Sequence, residues 1–276
     1  MRVRELGLIL AITTCELCAA QPNQLPMLNL IYLHRPPLSF TDEEQQASGI
    51  LPEMMIKVAS QANIKTNFIF DEHWVSILSI LKRPASTCVI GAYYTEERAE
   101  HYRYSQPLFQ ESSYVVVTRN ELASELTAFS SVKDLIGSSY TMGMQQAYSY
   151  GPYIDELVQH LQPKIVSVKS GNQPDTDNES GRHIFDLIAR KRMDYYFSGQ
   201  AEYKWMRNHR QDLASSLTAL KFNDLDEGQM RYLMCSTGIH PELLSQLNQS
   251  IDQLRASDAY QQILHKYASQ DVASSH

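Results

Sequence analysis

From residue 28 onward the apolar positions fall into short runs that switch between two periods. "LNLIYLH" (28–34) is a short apolar strand, and the Pro-led "RPPLSFTDEEQQASG" (35–49) is a loop of turn residues. "ILPEMMIKVASQA" (50–62) spaces its apolar residues three and four apart, which predicts a helix with one face on a core. "KTNFIFDE" (65–72) alternates as a strand does, and "WVSILSILKR" (74–83) returns to helical spacing. "STCVIGAYY" (86–94) is almost unbroken apolar, the pattern of a parallel strand buried on both faces. Thr95 then stands as a helix cap, followed by Glu96 and Glu97, where the helix macrodipole favours acids. "SSYVVVTRN" (112–120), rich in β-branched residues, is the next strand.

The pattern then restarts. "SSVKDLIGSS" (130–139) reads as a short helix with a glycine stop, "YTMGM" (140–144) as a strand and "AYSYG" (147–151) as a turn. "PYIDELVQHLQ" (152–162) is a helix with proline at its favoured first position, and "KIVSVKS" (164–170) a strand. A polar loop (171–181), a helix "RHIFDLIARKR" (182–192) and a strand "MDYYFSG" (193–199) follow. A last strand lies in "DEGQMRYLMCST" (226–237), before two closing helices within 240–267. Repeated βα units of this kind predict an α/β protein of two lobes, each a mostly parallel sheet flanked by helices. The tail "SQDVASSH" reads as disordered.

Composition narrows the partners. With 24 Lys and Arg against 31 Asp and Glu the chain carries a net charge of −7, which argues against a nucleic-acid or anionic-membrane partner. The first 20 residues run from arginines through the apolar "LGLILAITT" to small residues, the order of a secretory signal, and predict an exported, periplasmic or extracellular protein. "CELC" lies in that segment and is expected to be removed with it; a lipid attachment at Cys15 or Cys18 is poorly matched by its neighbours. Of the four cysteines, Cys88 and Cys235 remain, either as a disulfide or as two buried thiols.

Motifs for metal, nucleotide and dinucleotide are absent: the chain has no H-E-x-x-H, no zinc-spaced Cys/His cluster, no Walker loop and no G-x-G-x-x-G, and no cofactor or metal is expected. "AYSYG" lacks the first glycine of a G-x-S-x-G nucleophile elbow. A hydrolase would need Ser149 with a downstream histidine, from His183, His209, His240 or His265, none in a distinctive setting.

"RPPLSF", "GILPEMMIKVASQA", "WVSILSIL", "CVIGAYYTEERAEHYRYSQPLFQESSYVVV", "AYSYG", "RMDYYFSG" and "HPELLSQLNQSIDQLRASDAYQQILHKY" occur in that order across residues 27–267. This succession resembles the family 3 extracellular solute-binding proteins, whose best-known members bind amino acids for import by ABC transporters. The resemblance implies a two-lobed clamshell with ligand in the cleft, lobe 1 over about 21–117 and 228–276 and lobe 2 over about 118–227. It implies a monomeric, non-enzymatic periplasmic receptor for a small carboxylate-bearing solute, serving a membrane permease. A sensing module that signals to a kinase or other membrane partner is the competing expectation, and the Ser149 hydrolase a third.

Arg98, in the "T-x-x-R" motif, is implied as the grip on the ligand carboxylate. A planar guanidinium beside free N–H groups of a helix start suits an anion, and Thr95 supplies the cap. Trp74 is implied as a cleft aromatic, and Tyr93 sits at a strand end where relatives place a small polar residue. Arg35 stands in place of a common family aromatic; facing the cleft it would favour a second anionic group or act as a stacked guanidinium. Tyr148 and Ser149 fall where relatives touch the carboxylate, with Gln145 and Gln146 as nearby amides and Ala147 in place of the usual glycine, so the loop backbone is expected to differ. Gly199 stands where amino-acid binders carry the acid that pairs with an α-ammonium; Glu202 or Asp71 would have to substitute.

Overall fold

Most strands sort into two separate sheets, one built from both ends of the chain and one from its middle, each with its own apolar core, in a computed structural model that describes residues 26–168, 184–225 and 228–269. The expected signal, "CELC", the 171–181 loop, His183 and most of the tail lie outside the described residues.

The first sheet runs Lys65–Phe70, Met27–Tyr32, Thr87–Tyr93, Met230–Cys235, Arg103–Tyr104, with Phe109–Gln110 also on Met230–Cys235. The second runs Ile165–Val168, Met142–Gln145, Tyr195–Gly199, Tyr114–Arg119, Leu217–Leu220. Both are mixed rather than mostly parallel. Pairs made by βα units are parallel. Pairs made where the chain enters or leaves a lobe are antiparallel, because no crossover helix turns the strand around. Tyr114–Arg119, which contains residue 117, pairs only within the second sheet.

Local chemistry accounts for the framework. Helix Ile50–Gln61 buries Ile50, Leu51, Met54, Met55 and Val58, one face at helical spacing, against Leu243, Leu247 and Ile251 of helix Pro241–Arg255. Thr87–Tyr93 is buried along almost its whole length, as its unbroken apolar run requires. Thr95 Oγ1 accepts the Arg98 N–H, and Ser131 Oγ accepts the Asp134 N–H, so both predicted helix starts are capped by their side chains.

Several elements were not legible from periodicity, among them one long helix and one strand of the second sheet. Helix Gln200–His209 buries only Tyr203 and Met206, too thin a stripe to register as a period. Strand Leu217–Leu220 is four residues long and buries only its ends.

Cys88 and Cys235 face each other across the antiparallel pair of Thr87–Tyr93 and Met230–Cys235 and form a disulfide. The open alternative of two thiols is thereby resolved. The bridge joins the first and last strands' neighbourhoods across 147 positions and stabilises the fold by about 2–4 kcal/mol through the unfolded chain.

The chain passes between the lobes twice, and the two passages are bonded to each other. Phe109–Gln110 pairs with Met230–Arg231, and the Glu111 N–H donates to Gln229 O at 3.0 Å. Gly228 lies so close to Glu111 that an added Cβ would collide with the Glu111 carbonyl, so only glycine allows this approach.

Candidate functional site

In an open parallel sheet, loops leaving the carboxyl ends of strands converge on one edge, and ligands bind there. The chain follows that rule in both lobes. Arg35 follows Met27–Tyr32, Trp74 follows Lys65–Phe70, and Arg98 follows Thr87–Tyr93; Tyr148 and Ser149 follow Met142–Gln145 in the other lobe. All five side chains, with Tyr93 and Arg231, line one cavity of about 410 Å³, its open mouth included. Leu33, Leu38, Leu51 and Ile90 give it an apolar floor.

Arg98 reaches across the cleft. Its Nη2 donates to Ala147 O of the facing lobe at 2.9 Å, its Nη1 to Tyr93 O at 3.5 Å, and its guanidinium lies over the Trp74 ring, 5.0 Å from the centroid. Burial holds its pKa below the usual arginine value, against the opposing pull of Tyr104, Asp155 and Glu97. No carboxylate stands within ion-pair distance of it among the described residues. The helix it sits on, Glu96–His101, is only six residues long, and Thr95 Oγ1 occupies the Arg98 N–H. Thr95 is thus the helix cap and does not line the cavity, whereas Arg98 does.

Trp74 packs on Tyr148 across the cleft, with centroids 5.7 Å apart. Its Nε1–H is buried and finds no acceptor among the described residues. Arg35 faces the cleft, as one expectation had it. It does not stand as a free second cation: its Nε and Nη2 donate to both oxygens of Glu202, at 2.9 and 2.6 Å, and its guanidinium lies over the Tyr148 ring at 5.7 Å.

The facing loop is pinned from within. Ser149 Oγ and the Tyr150 N–H both donate to Asp155, and Ser149 Oγ accepts the Gly151 N–H. Tyr150 OH accepts the Gln145 N–H at 2.9 Å. Ala147 takes φ 61°, in the left-handed region that favours glycine. Gln146 is exposed, bonds Val168 O through its backbone and does not line the cavity. No histidine lines the cavity among the described residues; His209 stacks on Trp205 and His240 lies by Glu242.

Beneath the cleft lies a buried charged cluster that pattern reading passed over. Glu111 accepts from Arg231 Nε at 2.7 Å and from Arg231 Nη2, and Tyr93 OH donates to the same carboxylate at 2.6 Å. Arg231 Nη1 donates to Gly91 O and the guanidinium lies 3.8 Å from the Tyr93 centroid. Tyr93 OH also meets Tyr114 OH of the second sheet at 2.8 Å. Burial pushes the Tyr93 hydroxyl far above the usual tyrosine range, with Glu111 adding to the shift, so it stays a donor. The signal for this cluster was present as a single charge inside each apolar context, Arg231 in "MRYLMC" and Glu111 between "LF" and "YVVV".

Glu202, not Asp71, stands by Gly199. A Cβ added to Gly199 would collide with Glu111 Oε1 and lie 3.2 Å from Glu202 Oε2, whereas Asp71 accepts the His73 N–H at the start of helix Trp74–Leu81.

Among the described residues no helix is long and apolar enough to cross a membrane, and no three His, Cys, Asp or Glu side chains form a metal-like group. A comparison with curated protein sequences finds no match. Solved structures do match. An ancestral arginine-binding protein bound to arginine is similar at 20% identity over 87% of this chain and 97% of its own, with a TM-score of 0.67. A histidine kinase sensor domain with similarity to periplasmic binding proteins is 17% identical over 89% and 97%, with a TM-score of 0.69. A structure reported for glutathione import through a cystine ABC importer of Streptococcus mutans is 16% identical over 88% and 95%, with a TM-score of 0.68. At these identities the likeness establishes the two-lobed periplasmic-binding-protein fold. The model of the bacterial extracellular solute-binding proteins, family 3, matches residues 30–270, and the chain belongs to that family.

Proposed function

We propose that the chain captures a small carboxylate-bearing solute in the cleft between its lobes and delivers it for import, without turnover. The observation that carries this is Arg98: a cavity-lining guanidinium stacked on Trp74, with no carboxylate in ion-pair distance among the described residues. A bound carboxylate would accept from Arg98 through charge-assisted hydrogen bonds and lie near the Trp74 ring on which that guanidinium stacks. Ser149 serves the loop that faces Arg98, its hydroxyl bound to Asp155, which supports binding over catalysis. In this reading lobe 1 is built from about 26–112 and 228–269 and lobe 2 from about 113–225, and closure is a hinge motion about the Glu111–Arg231 crossing.

Export to the periplasm through the N-terminal segment and an ABC-type permease as the partner complete this reading. The likeness to a kinase sensor domain favours a second reading, ligand sensing through a membrane partner, at the same cleft. Growth on the ligand as sole source, lost on deletion of the chain, separates import from sensing.

A thermal-shift screen of small carboxylates, each beside its primary amide, tests the carboxylate requirement. A carboxylate present at a hundred times its Kd stabilises the protein by about 2.7 kcal/mol, and its amide produces no comparable shift. Equal shifts from acid and amide would place recognition elsewhere on the ligand.

A further inference from the structure

Five charged side chains sit in or directly beneath the cleft, and four of them are already paired. Glu111 is held by Arg231, and Glu202 by both Nε and Nη2 of Arg35. Arg35 Nη2 stands between the two acids, 2.6 Å from Glu202 Oε2 and 3.9 Å from Glu111 Oε1. Gly199 is what leaves room for this arrangement, because any Cβ there would collide with Glu111 Oε1. Burial on its own would lower the Arg35 pKa, yet Glu202 and Glu111 hold it well above the usual arginine value, so the guanidinium remains charged. Among the described residues that line the cavity, Arg98 is the charged group with no carboxylate in ion-pair distance, and it stands with the apolar Leu33, Leu38 and Leu51.

We propose that Arg35 is a built-in counter-cation for Glu202 and Glu111, and that the cleft therefore selects carboxylates that carry no ammonium group. The inference rests on the reading of the cleft as a carboxylate site and narrows its ligand. Among the described residues no acid lines the cavity, and the two acids behind its wall already face guanidiniums: both Glu202 oxygens accept from Arg35, and Glu111 Oε1, which accepts no hydrogen bond, lies 3.9 Å from Arg35 Nη2. To reach Glu202 an ammonium must displace Arg35, whose own charge would then stay buried without that partner, and near Glu111 it meets the repulsion of the Arg35 and Arg231 guanidiniums. A carboxylate with an apolar body meets the Arg98 guanidinium and the leucines and displaces nothing. Arg35 thus decides between an organic acid and the corresponding zwitterion.

Calorimetric titration of the wild-type protein with matched pairs tests this: 4-methylpentanoate against leucine, butanoate against 2-aminobutanoate, and 3-phenylpropanoate against phenylalanine. The expected result is binding by at least one compound without the amino group, at least tenfold tighter than by its amino-acid partner. An amino acid that binds as tightly as its partner, or more tightly, overturns the role given to Arg35 and leaves the carboxylate reading standing. No binding by any of the six overturns both. In Arg35→Met the two acids lose their counter-cation, and the preference within the pair falls toward one or reverses; an unchanged preference in a folded Arg35→Met protein also overturns the proposal. The wild-type ratio decides independently of whether that variant folds.

Discussion

Glu111→Ala lowers the stability of the fold by about 3–5 kcal/mol, read as a shift in the denaturant midpoint. The residue is 3% exposed and Arg231 is likewise 3% exposed. Removing the carboxylate leaves the Arg231 guanidinium buried with Gly91 O as its remaining hydrogen-bond partner, and strips Tyr93 OH of its charged acceptor. Leaving a charge buried and unpaired costs far more than the ion pair contributes when intact. The double replacement Glu111→Leu with Arg231→Met, which removes both charges, is therefore expected to cost much less than Glu111→Ala alone. A double-mutant cycle measures the difference as a coupling energy. Additive losses would mean the pair is screened and its burial unimportant. Because this pair joins the two passages between lobes, Glu111→Ala is also expected to loosen closure, visible as a larger radius of gyration in solution scattering.

Arg98→Ala weakens binding of a carboxylate ligand by about 10²–10³-fold, mostly through a faster off-rate. Removing one partner of a desolvated, hydrogen-bonded charge pair costs about 2–5 kcal/mol, since the ligand carboxylate is left in the cleft without its cation. Arg98→Lys recovers part of this, because an ammonium restores the charge without the planar two-bond fork. The fold itself loses little in Arg98→Ala, as its direct bonds are to two carbonyls, one of them at 3.5 Å. A folded variant that binds the carboxylate with wild-type affinity would remove Arg98 from the site.

Much of this architecture was legible in the sequence because each strand and helix carries its own period. Ile50–Gln61 and Thr87–Tyr93 are spelled out by their apolar spacing, and Arg98, Trp74, Arg35, Tyr93, Tyr148 and Ser149 gather because each lies in or beside a strand's carboxyl end. What escaped was set by tertiary pairing. Arg231 alternates correctly for a strand, and nothing local reveals that Glu111, 120 positions earlier, will neutralise it. Glu202 sits in a helix too polar to declare itself, and its partner Arg35 is 167 positions away. The sheets read as mostly parallel because βα units signal parallel pairing, while the antiparallel returns at Tyr114–Arg119 and Met230–Cys235 carry no such local mark. Nothing local to Ala147 announces its left-handed φ, which lies in a loop held by the Tyr150 and Asp155 hydrogen bonds.

A crystal structure of the protein with 3-bromopropanoate, located by the anomalous signal of bromine, shows which guanidinium holds the carboxylate. The expected result is the carboxylate on the Arg98 guanidinium, its bromine toward Leu33, Leu38 and Leu51, and the Arg35–Glu202 pair intact. A carboxylate bound to Arg35 with Glu202 displaced, or bromine found only outside the cleft, would contradict it.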